Sequence, residues 1–268
     1  MSKLKIFNLN KRQKIAISSL LLGLIFIGAT LTSNILFRRL YLILIFGGFA
    51  YLLSLWSLKE GLNKTKLLVV LILPTIFCMG LAGFYFVLNP NYIRWATRIP
   101  FAIICSLVLY LMLLSLNIFN VASQRTIPLY RAASTASLLF TIVTAILVFS
   151  VIYTFRLNFY LNGLLIFLTS FILSLHVLWT VEMDKLTSQI IIYSLILGLL
   201  KGEVAIALSF WPIIPLLWSV FLALFLYILL GTVHQYLIER LTKRTVLEYF
   251  GMGALALVIL ISFTSWTG

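Results

Sequence analysis

The sequence predicts an all-α, polytopic transmembrane helix bundle of about nine spans with no soluble domain, and three observations carry that prediction. Of the 268 residues, 63% are hydrophobic and only 10% are charged, whereas roughly a quarter of a soluble chain is charged because its surface must be covered. Mean hydropathy is +1.15. The apolar residues fall in stretches of the ~17–25 residues that a helix needs to cross the hydrocarbon core of a bilayer. Such a composition excludes secreted disulfide scaffolds, disordered tails, coiled coils and nucleic-acid-binding domains.

The spans follow from the chain in order. Residues 1–14 form a basic leader with Lys3, Lys5, Lys11, Arg12 and Lys14, and residues 15–266 form a single transmembrane domain. The first span, 15–33, has an apolar core too long for a signal peptide and no small-x-small cleavage site after it, so it reads as an uncleaved anchor. The second, 41–58, lies between Arg38 and Arg39 on one side and Lys59 on the other. The third and fourth, 67–88 and 101–119, are separated by Arg94 and Arg98. Arg125 and Arg131 precede the fifth, 132–155, which Arg156 separates from the sixth, 159–180. The seventh, 189–210, contains Lys201, and Pro212 and Pro215 punctuate the start of the eighth, 213–233. Arg240, Lys243 and Arg244 stand before the ninth, 246–266.

Basic residues stay preferentially on the cytoplasmic side of a membrane, so their alternation sets the orientation. With the N-terminus inside, 14 Lys and Arg fall in cytoplasmic segments and five outside, with Lys201 within a span. Merging the seventh and eighth spans into a re-entrant hairpin would leave 11 inside and eight outside, so nine spans explain the charges better. The C-terminus is then external. The net charge of +14 suggests no nucleic acid here; its partners are a bilayer with anionic lipids and, in addition, other membrane proteins.

Motifs are mostly missing. The chain has no GxxxxGKS or GxxxxGKT, GxGxxG, HExxH or CxxC, and no cofactor or metal is implied. Cys78 and Cys105 sit in apolar runs, where a thiol behaves as a small hydrophobe. Asp184 is the only aspartate, which excludes proteolysis by a proton-sharing aspartate pair. The expected external loops hold no acids, which argues against transferases of lipid-linked sugars.

Two groups of residues carry candidate chemistry. Lys201, Gly202 and Glu203 lie near the middle of the seventh span, where each charge costs roughly 2.5–3.5 kcal/mol and normally faces a cavity or a partner. Positions two apart do not face each other on a helix, so a Lys201–Glu203 pair requires the helix to break at Gly202, as in transporters that bind substrate at broken helices. The bland alternative is a snorkelling Lys201 and a neutral or hydrogen-bonded Glu203. The second group is at the expected cytoplasmic rim: Arg125 and Arg131, then His176 and Asp184 on one face of the sixth span with Thr180, then His234, Glu239 and Arg240. It offers acid/base groups and guanidiniums suited to a phosphorylated lipid headgroup. Glu239–Lys243 and Arg244–Glu248 have i, i+4 spacing, so ordinary surface ion pairs account for much of it.

Other polar positions read as packing. Ala133, Ser137, Thr141 and Thr144 or Ala145 make a small-residue stripe on the fifth span, and Asn117 and Asn120, three apart near the end of the fourth, are placed to hydrogen-bond across to it. Tyr92, Trp95, Trp211 and Trp266 suit an outer aromatic belt.

Two stretches carry a resemblance: Ser-Leu-Asn-Ile-Phe-Asn-Val-Ala-Ser-Gln-Arg-Thr-Ile-Pro at 115–128 and Glu-Val-Ala-Ile-Ala-Leu-Ser-Phe-Trp-Pro at 203–212. They resemble an uncharacterised family of multi-pass membrane proteins from uncultivated small-genome bacterial lineages, over about residues 67–250. The resemblance implies a bacterial cytoplasmic membrane protein and carries over no catalytic role. Three functions stay open: a non-catalytic scaffold or assembly subunit, a transporter or flippase-like protein using Glu203 and Lys201, and an enzyme acting on a phosphorylated lipid headgroup. A cavity reaching Glu203 would favour transport, and a pocket gathering Arg125, Asp184 and Arg240 would favour the enzyme.

Overall fold

A computed structural model describes residues 10–31, 36–59, 64–88, 95–122, 129–182 and 186–264. Among them the regular structure is nine helices: α1 (Lys11–Leu31), α2 (Leu36–Leu58), α3 (Lys64–Val87), α4 (Trp95–Ala122), α5 (Tyr130–Thr154), α6 (Phe159–Glu182), α7 (Ser188–Leu208), α8 (Pro215–Leu237) and α9 (Lys243–Ser262). All nine are long and apolar enough to cross a membrane, and no soluble domain stands among the described residues. This is an integral, multi-pass membrane protein.

Each helix matches one expected span, with shifted ends. Hydropathy marks the apolar stretch, but backbone hydrogen bonding continues into polar flanks, so α1 takes in Arg12 and Lys14 and α9 takes in Lys243 and Arg244. Thr242 caps α9 by accepting a hydrogen bond at 3.3 Å from the backbone N–H of Thr245, which satisfies one of the free donors at a helix start.

Helices α3 and α5 form the centre. α3 packs on α2, α4, α5 and α6, and α5 packs on α3, α4, α6 and α8. The small-residue stripe expected on the fifth span is real: Ala133, Ser137, Thr141, Thr144 and Ala145 are all buried, so neighbouring backbones approach closely. α9 is the outlying helix. It packs on α8, where Gly231 leaves room for the Tyr249 ring, whose hydroxyl stands only 2.5 Å from where a Cβ would be.

The tightest helix pair is α6 and α7. A Cβ on Gly202 would stand 3.0 Å from the Gly163 carbonyl oxygen, one on Gly198 would stand 3.0 Å from that of Phe167, and one on Gly163 would overlap the Ile206 side chain. Glycine is therefore required here for contact, and α7 continues unbroken through Gly202.

Contacts also fix which helix ends lie together. Tyr130 at the start of α5 donates to the Thr180 carbonyl near the end of α6. At the other end of α5, the hydroxyls of Ser150 and Ser219 are 2.6 Å apart and Tyr153 stacks on Trp218 with ring centroids at 4.6 Å. α5 and α8 thus run antiparallel, as alternate crossing requires.

Candidate functional site

Lys201 is fully buried. Its ammonium donates to the Leu222 carbonyl of α8 and lies over two aromatic faces, at 5.3 Å from the Phe149 centroid and 5.4 Å from that of Phe225. A cation over an aromatic face is attracted by the ring's negative face, so α5 and α8 together supply the contacts of the buried amine. Lys201 belongs to the inward stripe of α7, with Ser194, Leu197, Gly198, Gly202, Ala205 and Leu208.

Glu203 lies on the other side of that helix. Two residues further turns the side chain by roughly 200°, which places Glu203 among the exposed positions that include Ile192, Ile196, Leu199 and Leu200. It sits five residues before the end of α7, or ~7–8 Å of helix. A direct Lys201–Glu203 pair and the break at Gly202 that it would require are both absent, because Gly202 is a packing residue in a continuous helix and the two charges face opposite ways.

The described members of the rim group are divided rather than gathered. His176 is fully buried, and its Nδ1 donates at 2.9 Å to the Val69 carbonyl of α3. That bond assigns Nε2 as the acceptor for the Ser137 hydroxyl, 3.2 Å away on α5. Pro74, within α3, has no N–H to offer the carbonyl four residues earlier, so the histidine ties into α3 beside a locally weakened turn. His176 and Ser137 are both buried, so their hydrogen bond is closed off inside the bundle. Thr180 shares the buried face as expected, and its hydroxyl bonds to the Val177 carbonyl.

Arg131, Glu239 and Arg240 are exposed. Glu239 has φ 57° in the turn between α8 and α9, so Glu239 and Lys243 are not on one helix and their i, i+4 spacing has no helical meaning. Arg244 and Glu248 do pair, at 3.0 Å within α9. Arg125, Asp184, Tyr92 and Trp266 lie outside the described residues, so the expected Arg125, Asp184 and Arg240 pocket does too. Among the described residues no group of three His, Cys, Asp or Glu side chains is placed to hold a metal.

His234 is different from the other candidates. It borders a cavity of about 530 Å³ between α5, α8 and α9, with Ser134, Thr135, Gln235, Tyr227 and Tyr249 among its neighbours there. Its Nε2 is buried with no hydrogen-bond partner. The sequence singled out His234 but not Tyr227, Gly231 or Tyr249, which are hidden among the other aromatics and glycines of α8 and α9, such as Trp218, Phe225, Phe250 and Gly253.

Residues 12–263 match the family described as protein of unknown function (DUF5656). No curated protein and no solved structure matches the chain.

Proposed function

Because the chain belongs to the family described as protein of unknown function (DUF5656), from which no activity can be carried over, we propose from the geometry a non-catalytic role: a scaffold or assembly subunit. It resides in a bacterial cytoplasmic membrane, with the N-terminus cytoplasmic and the C-terminus external. The observation that carries this reading is the closed state of Lys201, whose amine is held by the Leu222 carbonyl and two aromatic rings. A buried amine in a transport pathway needs access to water on at least one side. Here it joins α7 to α8 as a structural bond. His176 does the same between α6 and α3, so both deeply placed ionisable groups serve helix packing. Glu203, outward and near a helix end, has room to reach the interface.

The test compares Lys201→Met and Glu203→Gln with wild type in cells lacking the chromosomal copy. Met fills the site without a charge, so a scaffold keeps most of its thermal stability, its assembly size in native-membrane discs and its ability to complement. A Lys201→Met or Glu203→Gln protein that inserts, melts and assembles like wild type yet fails to complement would overturn the scaffold reading in favour of transport.

A further inference from the structure

We propose that the cavity between α5, α8 and α9 is a binding site for one anionic phospholipid, with an acyl chain in the groove and the phosphate at its polar end. The cavity of about 530 Å³ falls within the usual range for ligand pockets. Its composition is graded along the helices. Thr135, His234 and Gln235 stand at one end, while Leu139, Val143 and Leu224 line the walls beyond. Leu139 and Val143 are exposed, so the groove opens sideways, where a chain from the bilayer can enter. An amphiphile with a single polar end matches this gradient; a soluble metabolite does not.

Charge complementarity selects the headgroup. The polar end coincides with the start of α5, the end of α8 and the start of α9. Arg131 is one turn from Thr135, whose hydroxyl bonds to the Arg131 carbonyl, and the Arg240 backbone N–H bonds to the Gln235 carbonyl at 2.9 Å. Lys243 and Arg244 follow at the start of α9. The turn before α9 and its first turns also carry the carboxylates of Glu239 and Glu248, and Glu248 is held by Arg244. The balance of these six groups is +2, the sign expected where basic residues between spans recognise anionic headgroups. Within the groove, the Nε2 of His234 has no hydrogen-bond partner in the protein, and in the tautomer that is protonated there it donates to a phosphate or glycerol ester oxygen at the top of an inserted chain. A bond to the lipid there would offset the cost of burying that nitrogen. This proposal stands apart from the scaffold reading, since a lipid site is compatible with any of the three functions.

The full chain is reconstituted in mixed phosphatidylethanolamine and phosphatidylglycerol vesicles, re-extracted in mild detergent, and its retained lipid is weighed by native mass spectrometry. Wild type is expected to retain one phosphatidylglycerol, enriched over phosphatidylethanolamine relative to the vesicle. Arg131→Gln with Arg240→Gln should lower that retention by about 30-fold, the factor expected for two charges at an anionic surface. Val143→Trp, which fills the groove and leaves the charges intact, should abolish it; Leu139→Trp serves if the first variant does not fold. Retention of the two lipids in proportion to the vesicle overturns the proposal, as does wild-type retention by either kind of variant. Displacement of the lipid by glycerol 3-phosphate overturns it as well, because the site would then recognise a soluble phosphate without needing the chain.

Discussion

The imidazole of His176 donates through Nδ1 to the Val69 carbonyl at 2.9 Å, joining α6 to α3 between residues 107 positions apart. Together with the Ser137 hydroxyl at Nε2, this makes His176 the meeting point of three helices, α3, α5 and α6. Replacing it by Leu removes both bonds and strands the Ser137 hydroxyl, for which we predict a loss of about 1–2 kcal/mol. Combined with Ser137→Ala in a double-mutant cycle, the coupling should be ~0.6 kcal/mol, typical of hydrogen bonds between membrane helices. Equilibrium unfolding in mixed micelles measures both; zero coupling would show that the Ser137–His176 contact contributes nothing.

Hydropathy alone located every helix, because a helix that crosses a bilayer must be apolar for its whole length. Facing was harder to read, and the physical reason is the same. A soluble helix shows its inner side by a polar outer stripe, but α7 is apolar on both sides, with exposed Ile192, Ile196 and Leu199 opposite buried Leu197 and Leu208. Depth put Lys201 and Glu203 together; rotation separated them. On α5 the reading succeeded because small residues carry a facing signal that bulk hydrophobicity lacks, and Ala133, Ser137 and Thr141 turned inward together. Partners distant in sequence left no trace at all. Nothing in the sequence linked Val69 to His176, or Leu222 to Lys201, since both acceptors are backbone carbonyls that every residue has.

Gly202 supplies the second prediction. A Leu there would push a Cβ to 3.0 Å from the Gly163 carbonyl oxygen and 3.1 Å from the Phe167 Cβ, with the rest of the side chain directed into α6. Overpacking of this kind costs about 1–3 kcal/mol, and the α6–α7 pair has no slack to absorb it. Glu203→Gln, one residue on but facing outward, should leave the melting temperature within error. Thermal melts of the two variants in the same detergent decide the point: equal behaviour would mean that α7 is rotated from the orientation described.

Lys201 supplies the third. Truncation to Ala removes the donor to the Leu222 carbonyl and opens a hole between the Phe149 and Phe225 rings, a change that costs about 2–5 kcal/mol when a long core side chain is lost. Met restores most of the volume without the charge, so Lys201→Met should recover the larger part of that loss. If Met is as damaging as Ala, the amine itself and not the filled space holds α7 to α8.

Orientation is the last prediction, and it follows from charge placed on a fold whose helix ends are now paired. Tyr130 with Thr180 and the cavity shared by Thr135, His234 and Tyr249 bring the start of α5, the end of α6, the end of α8 and the start of α9 to one side. That side carries Arg131, Arg240, Lys243 and Arg244, whereas Arg156 stands in the turn at the opposite side. Retention of basic residues in the cytoplasm then assigns the first side as inner. The test starts from a Cys78→Ala, Cys105→Ala chain, both native thiols being buried. Cysteines are then introduced at two exposed positions, Asn158 and Lys243. A membrane-impermeant maleimide should label Asn158→Cys in intact cells and Lys243→Cys only after permeabilisation. Labelling of Lys243→Cys in intact cells would invert the bundle and move the proposed phospholipid site to the outer leaflet.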